Sequence, residues 1–161
     1  MSDKLNFLDN LILNNSIICH YEAKDWKDAI HKSLEPLVNK KIINEKYYEL
    51  ILESTKKHGP YYVICDGLAM PHASATTDAV FSNGFSLLTL TKPIKFENDE
   101  REVSILVALA AIDGETHTAI AIPQIIAVFE NEETLKKIIA AKNKEEIIKI
   151  IKAIDYTKYL V

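Results

Sequence analysis

The stretch that most limits what this chain can fold into is Glu102 to Ala111, where Val103, Ile105, Leu106, Val107 and Leu109 leave no polar face. A strand apolar on both sides has to be covered on both sides, so it reads as the central strand of a sheet with helices above and below. The rest of the chain supplies those neighbours. Ser16–Tyr21, Tyr61–Cys65, Leu68–Met70 and Gly84–Leu90 read as further strands, the last with Phe85, Leu87 and Thr89 alternating against Ser86 and Leu88. Thr91 to Asn98, interrupted by Pro93, is expected as a separate short extended piece around Phe96.

Helical spacing fills the gaps. Leu5, Phe7, Leu8 and Leu11 mark a short helix within Lys4–Leu13, and Trp26, Ala29, Ile30, Leu34 and Leu37 mark one over Lys24–Val38. Pro36 should end or kink the latter near its last turn. Asn44 is the expected cap of Glu45–Lys57, and His58-Gly59-Pro60 is its stop signal. A helix from Glu115 to about Phe129 should kink at Pro123; Asn131 caps the next, over Glu132–Ala141. Asn143-Lys144-Glu145-Glu146 resembles a capping box before Ile147, Ile150, Ile151 and Ile154. This order predicts an α/β protein: a single three-layer domain over residues 1–161, its mixed β-sheet flanked by helices on both faces.

Composition excludes several functions. The net charge is −4 and there is no basic cluster, so no nucleic-acid partner is expected. There is no apolar run of membrane-spanning length and no secretory pattern, which points to the cytoplasm. Cys19 and Cys65 have neither zinc spacing nor a disulfide framework, and are expected as small buried strand residues in a reducing compartment. With four glycines and no Gly-rich loop, neither a nucleotide cofactor nor a metal is expected.

Chemistry concentrates at Gly67-Leu68-Ala69-Met70-Pro71-His72-Ala73. Asp66-Gly67 is a turn signal between two short apolar runs, and Pro71, with no amide proton for a ladder, suits a strand's end. Pro71 also biases Met70 towards extended geometry, so His72 stands on a stiff stem where the chain leaves the sheet. The residues after it, Ala73 to Asp78, are small or polar. A histidine beside a proline is more often an ordinary surface residue than a catalyst. His20 reads as structural or exposed, His31 as solvated, and a charged His58 would suit the end of its helix. Yet His72 and His117 each follow a predicted strand, and ligands in open α/β sheets bind outside the carboxyl ends of strands. His117 lies in the first turn of its helix, where unpaired N–H groups favour a phosphoryl group.

These residues resemble a known family. His58-Gly59-Pro60-Tyr61-Tyr62-Val63, Gly67 to His72, Gly84 to Pro93, Ala110-Ala111-Ile112-Asp113 with His117, and Phe129 to Glu133 are similar to enzyme IIA components of the bacterial sugar phosphotransferase system. The resemblance is to the mannitol/fructose type and, within it, to the ascorbate branch, and it covers nearly the whole chain. It implies a phosphocarrier. The histidine of Ala-x-Pro-His, here His72, would take a phosphoryl group from phospho-HPr and pass it to a cysteine of a IIB protein, for uptake of ascorbate or a related sugar through the membrane IIC component. His117 matches the second family histidine, which contacts the phosphoryl group. Family relatives modify the ε nitrogen while a backbone carbonyl orients the δ nitrogen.

The sequence departs from the family at two points. Many members have Gly after the active histidine; Ala73 and Ser74 stand here, and Ser74 is a candidate extra donor. The mannitol branch has an arginine on the helix before the motif; here Ser54-Thr55-Lys56-Lys57-His58 has none, leaving Lys56 or His58 as candidate replacements. Two other readings stay open. One is a regulatory IIA-like phosphoprotein that controls a partner without serving transport. The other is a metal-free hydrolase built from Cys65, Asp66 and His72, for which an apolar setting makes the thiol a poor nucleophile.

Overall fold

The computed structural model describes residues 5–74, 78–154 and 156; Lys4 and residues 75–77, which the sequence reading includes, lie outside them. The five strands among these residues are β1 (Ile17–Tyr21), β2 (Val63–Cys65), β3 (Gly67–Ala69), β4 (Gly84–Lys95) and β5 (Glu102–Ala110). They form one open sheet in the order β1-β4-β5-β3-β2. Pairing is parallel for β1 with β4 and for β3 with β5, and antiparallel for β4 with β5 and for β2 with β3. The both-sides-apolar stretch is the middle strand of this mixed sheet.

Helices α2 (Trp26–Asn39) and α3 (Lys46–His58) cover one face. Leu34, Leu37, Tyr47 and Ile51 pack there on Leu88, Leu90, Leu106 and Ala108. Helices α1 (Phe7–Leu13), α4 (Ile122–Phe129), α5 (Glu132–Ala140) and α6 (Lys144–Lys152) cover the other. There Phe7, Leu11, Ile125, Val128, Ile138 and Ile147 share a core with Phe85, Leu87, Ile105, Val107 and Leu109. Strand alternation sends each residue to its layer, with one slip in β1, where Cys19 and Tyr21 belong to opposite cores across a register shift against β4, and another in β5. Val103 and Ile105 should face the same way but belong to opposite cores, at the point where the register against β3 also shifts. That is the signature of a bulge.

Two expectations need correction. Thr91–Asn98 is not a separate piece: β4 runs unbroken to Lys95, with its register against β5 shifting between Thr89 and Ile94. The irregularity accommodates Pro93, which has no N–H for a rung. The helix expected from Glu115 begins instead as a π-helical stretch, Thr116–Ala121, that passes into α4. Ile122 donates to the carbonyl of His117, five residues back, just before Pro123. A proline deletes one α-type bond, and the wider π register is one way to absorb the loss.

The capping signals act as read at Asn131 and Asn143, whose side chains accept from the amides of Glu133 and Glu146. Glu146 completes its box one residue early, accepting from Lys142 N–H at 2.6 Å. Asn44 accepts from Lys46 N–H at 3.0 Å, and Gly59 ends α3 at a φ of 73°.

Candidate functional site

Strands β3 and β5 are adjacent and parallel, so their carboxyl ends emerge at the same edge of the sheet. His72 lies three residues beyond β3, and His117 seven beyond β5. Sequence distance is thereby cancelled: the two imidazole centroids lie 4.9 Å apart, with the rings inclined at 52°. Both side chains are partly buried. They line an open cleft of about 480 Å³ with Ser54, His58, Tyr61, Ala73, Ser74 and Gly114. No lysine, arginine or carboxylate is among the described lining residues.

The His72 ring is oriented by its own backbone. Nδ1 lies 2.6 Å from the carbonyl oxygen of Met70. A carbonyl can only accept, so Nδ1 carries the proton and, in the neutral ring, Nε2 carries the lone pair. Burial holds the pKa of His72 below the ordinary imidazole value, and the Met70 carbonyl only partly offsets it. His117 is lowered too, first by burial and then by the neighbouring charge His72 would carry if protonated. The pair is therefore neutral at neutral pH, the state in which imidazole nitrogen is a nucleophile.

The chain around the ring is tied down. Pro71 O accepts from Leu109 N–H at 3.1 Å, which carries the β3–β5 pairing past the last strand residue. Tyr61 places its ring edge-on to His72 at 5.4 Å and donates its hydroxyl to the His72 carbonyl. Tyr47, described below, does not stand out in the sequence, and Tyr61 has no role there beyond its place in a family block. Tyr61 reads there as one more member of an apolar run, and Tyr47 carries no motif.

Other expectations fare differently. His58, at the C-terminal end of α3, and Ser74 both reach the cleft. Lys56 does not: it lines a separate cleft with Trp26, Lys27, Glu53, Glu97 and Asn98, because the two residue positions that separate it from Ser54 and from His58 turn the side chain by about 200°. The expected free amides at the start of the His117 helix are also engaged. The Asp113 carboxylate accepts from Thr116 N–H at 2.7 Å, and the Asp113 carbonyl from His117 N–H at 3.2 Å. Cys65 is exposed and not buried, since it ends a three-residue edge strand. It shares a second cleft with Asp66, apart from the one that holds His72. Desolvation pushes its thiol pKa up, partly countered by Arg101. The hydrolase trio is not assembled.

A mixed sheet between two helical layers, with a neutral imidazole pair at its edge, places the chain among small α/β proteins that present histidines at the carboxyl ends of their strands. Residues 10–154 match the family model described as "Phosphoenolpyruvate-dependent sugar phosphotransferase system, EIIA 2", and the chain belongs to that family, whose members are phosphotransferase components. It is 38% identical over 144 residues to the ascorbate-specific PTS system EIIA component of Escherichia coli K12, covering 89% of this chain and 93% of that one. A Streptococcus mutans crystal structure assigned as a PTS IIA, PtxA, superposes with a TM-score of 0.89 at 39% identity, covering 97% of this chain and 99% of that one. At 18% identity the fold alone is shared with the mannitol enzyme IIA of E. coli in its complex with phosphorylated enzyme IIB (TM-score 0.74, 85% of this chain and 94% of that one). Among the described residues, no helix is long and apolar enough to cross a membrane.

Proposed function

We propose that this chain acts as one IIA unit, in the cytoplasm, carrying a phosphoryl group on His72 Nε2 between phospho-HPr and a cysteine of a IIB protein. The transported sugar would be ascorbate or a related compound, delivered through a membrane IIC component. The observation that carries this reading is the 2.6 Å contact of His72 Nδ1 with the Met70 carbonyl, beside His117. It directs the lone pair to the other nitrogen and keeps it there. Support for the sugar comes from the ascorbate-specific relative, and for IIB from the mannitol enzyme solved with its phosphorylated IIB.

The transfer is a pair of displacements. Nε2 attacks phosphorus as the bond to the donor breaks, and Nδ1 keeps its proton on the Met70 carbonyl throughout. A IIB thiolate then attacks the same phosphorus, and the Nε2–P bonding pair returns to the ring. The transition state of such transfers is loose, so alignment and charge stabilisation do most of the catalysis. His117 lies closest to supply that stabilisation, with His58 and Ser74 as further donors across the cleft.

Labelled phospho-HPr tests the reading. His72→Ala should abolish the labelled band while the far-UV spectrum stays native, and His117→Ala should slow labelling without ending it. A labelled His72→Ala protein would overturn the site, and wild-type kinetics in His117→Ala would remove its role. Adding a IIB protein should discharge the label; retention would favour the regulatory reading over transport.

A further inference from the structure

We propose that Tyr47 and Tyr61 are positioning residues for the reacting imidazole, their two hydroxyls holding the two ends of the peptide that follows His72 so that Nε2 meets the donor in line. This rests on the phosphocarrier reading above and adds to it the devices that aim the ring. His72 sits in a segment with no regular secondary structure, Met70 to Ser74, which by itself has no reason to hold one geometry.

The backbone there is nevertheless bonded almost atom by atom. Met70 N–H donates to Tyr62 O at 2.8 Å, and Pro71 O accepts from Leu109 N–H. The carbonyl and the amide of the His72–Ala73 peptide are taken by phenols. Tyr61 donates to the His72 carbonyl, and Ala73 N–H donates to the Tyr47 hydroxyl at 3.0 Å. The Tyr47 hydroxyl in turn donates to the Leu109 carbonyl at 2.5 Å. Leu109 thus holds Pro71 directly and Ala73 through an inserted oxygen. The inserted atom widens what would be the next rung between the β3 strand line and β5. His72 is the residue between the narrow rung and the wide one.

The two phenols differ in setting. Tyr47, on α3, is 1% exposed, and its ring belongs to the core between α3 and the sheet. A phenylalanine would fill that space equally well; only the hydroxyl reaches the reacting loop. Tyr61 is 40% exposed, leans edge-on against His72 and lines the cleft beside Ser54 of α3. Both tethers therefore end on the peptide that follows the reacting residue, one from α3 and one from the turn just beyond it. A displacement of about 1 Å can cost an in-line reaction about 100-fold, so loosening either tether should reach the rate.

Rapid-quench labelling of the full chain by phospho-HPr tests this, paired with the nitrogen NMR spectrum of the imidazoles. Tyr47→Phe and Tyr61→Phe should each lower the maximal rate by about 10- to 100-fold with the KM for phospho-HPr nearly unchanged. The His72 ring should then show a mixture of tautomers, where the wild type shows Nδ1–H alone. Wild-type maximal rates in folded variants, or a loss confined to KM, would overturn the proposal. If Tyr47→Phe does not fold, the exposed Tyr61→Phe decides by itself. A wild-type protein that takes no label on His72 would instead sink the carrier reading, so the two failures are told apart.

Discussion

At the scale of single residues, the proposed chemistry calls for neutral imidazole. His72 and His117 are both held below the ordinary histidine value, chiefly by burial. The unfolded chain, with a reference value of about 6.5, binds more protons than the folded one in the window just below that pH. The stability these rings contribute is complete above about pH 6.5 and declines as the pH falls towards their folded values. Phosphoryl acceptance should follow the same order. Its rate is expected to hold through pH 6.5, where a free imidazole is half protonated, and to fall only in more acid solution. A rate–pH profile whose acid limb lies at or above about 6.5 would contradict the burial argument. The residue proposed to react was singled out by Pro71-His72 and its surrounding blocks. Its tautomer was not, because Met70 O and His72 Nδ1 meet only once the backbone turns.

At the scale of elements, the hairpin of β2 and β3 delivers His72, and Gly67 is the residue that permits the hairpin. Its φ is +97°, and a Cβ there would stand 2.9 Å from Leu135 Cδ2. Gly67→Ala should therefore lower the unfolding free energy by about 1–3 kcal/mol, read as a lower urea midpoint. Labelling of His72 should persist under native conditions, since the strain lies at the far end of β3. An unchanged midpoint would show that the turn relaxes freely. Helix α6 offers a simpler case: Asn143→Ala removes the acceptor for Glu146 N–H and should cost about 1 kcal/mol. Both features were legible in sequence, as Asp66-Gly67 and as Asn-x-x-Glu. The π-helical entry to α4 was not. Pro123 signals a disturbance, but whether a helix kinks or widens depends on what packs around it.

At the scale of the molecule, one strand joins two cores. Ile105 and Leu106 are adjacent and fully buried, yet they face opposite helical layers. Replacing either by alanine should cost about 2–5 kcal/mol. Trp26, the chain's single tryptophan, packs against the α2/α3 layer, so its fluorescence follows that side alone. In Ile105→Ala, fluorescence and far-UV circular dichroism should nonetheless share one urea transition, because the sheet couples the layers. Two separated transitions would mean that the layers unfold independently.

Local patterning was sufficient for most of the elements, the caps at Asn131 and Asn143, the burial of β5 on both faces and the choice of His72 and His117 as candidates. Those features are set by neighbours a few residues apart: periodicity, a proline's missing proton, a glycine's freedom. What the tertiary structure alone decided is adjacency. Parallel pairing of β3 with β5 brings His72 to His117, helix phase sends His58 to the cleft and Lys56 away, and Asp113 engages the amides of Thr116 and His117 at the helix start. Strand order and helix phase follow from how two layers close on one sheet, and no spacing along the chain records that.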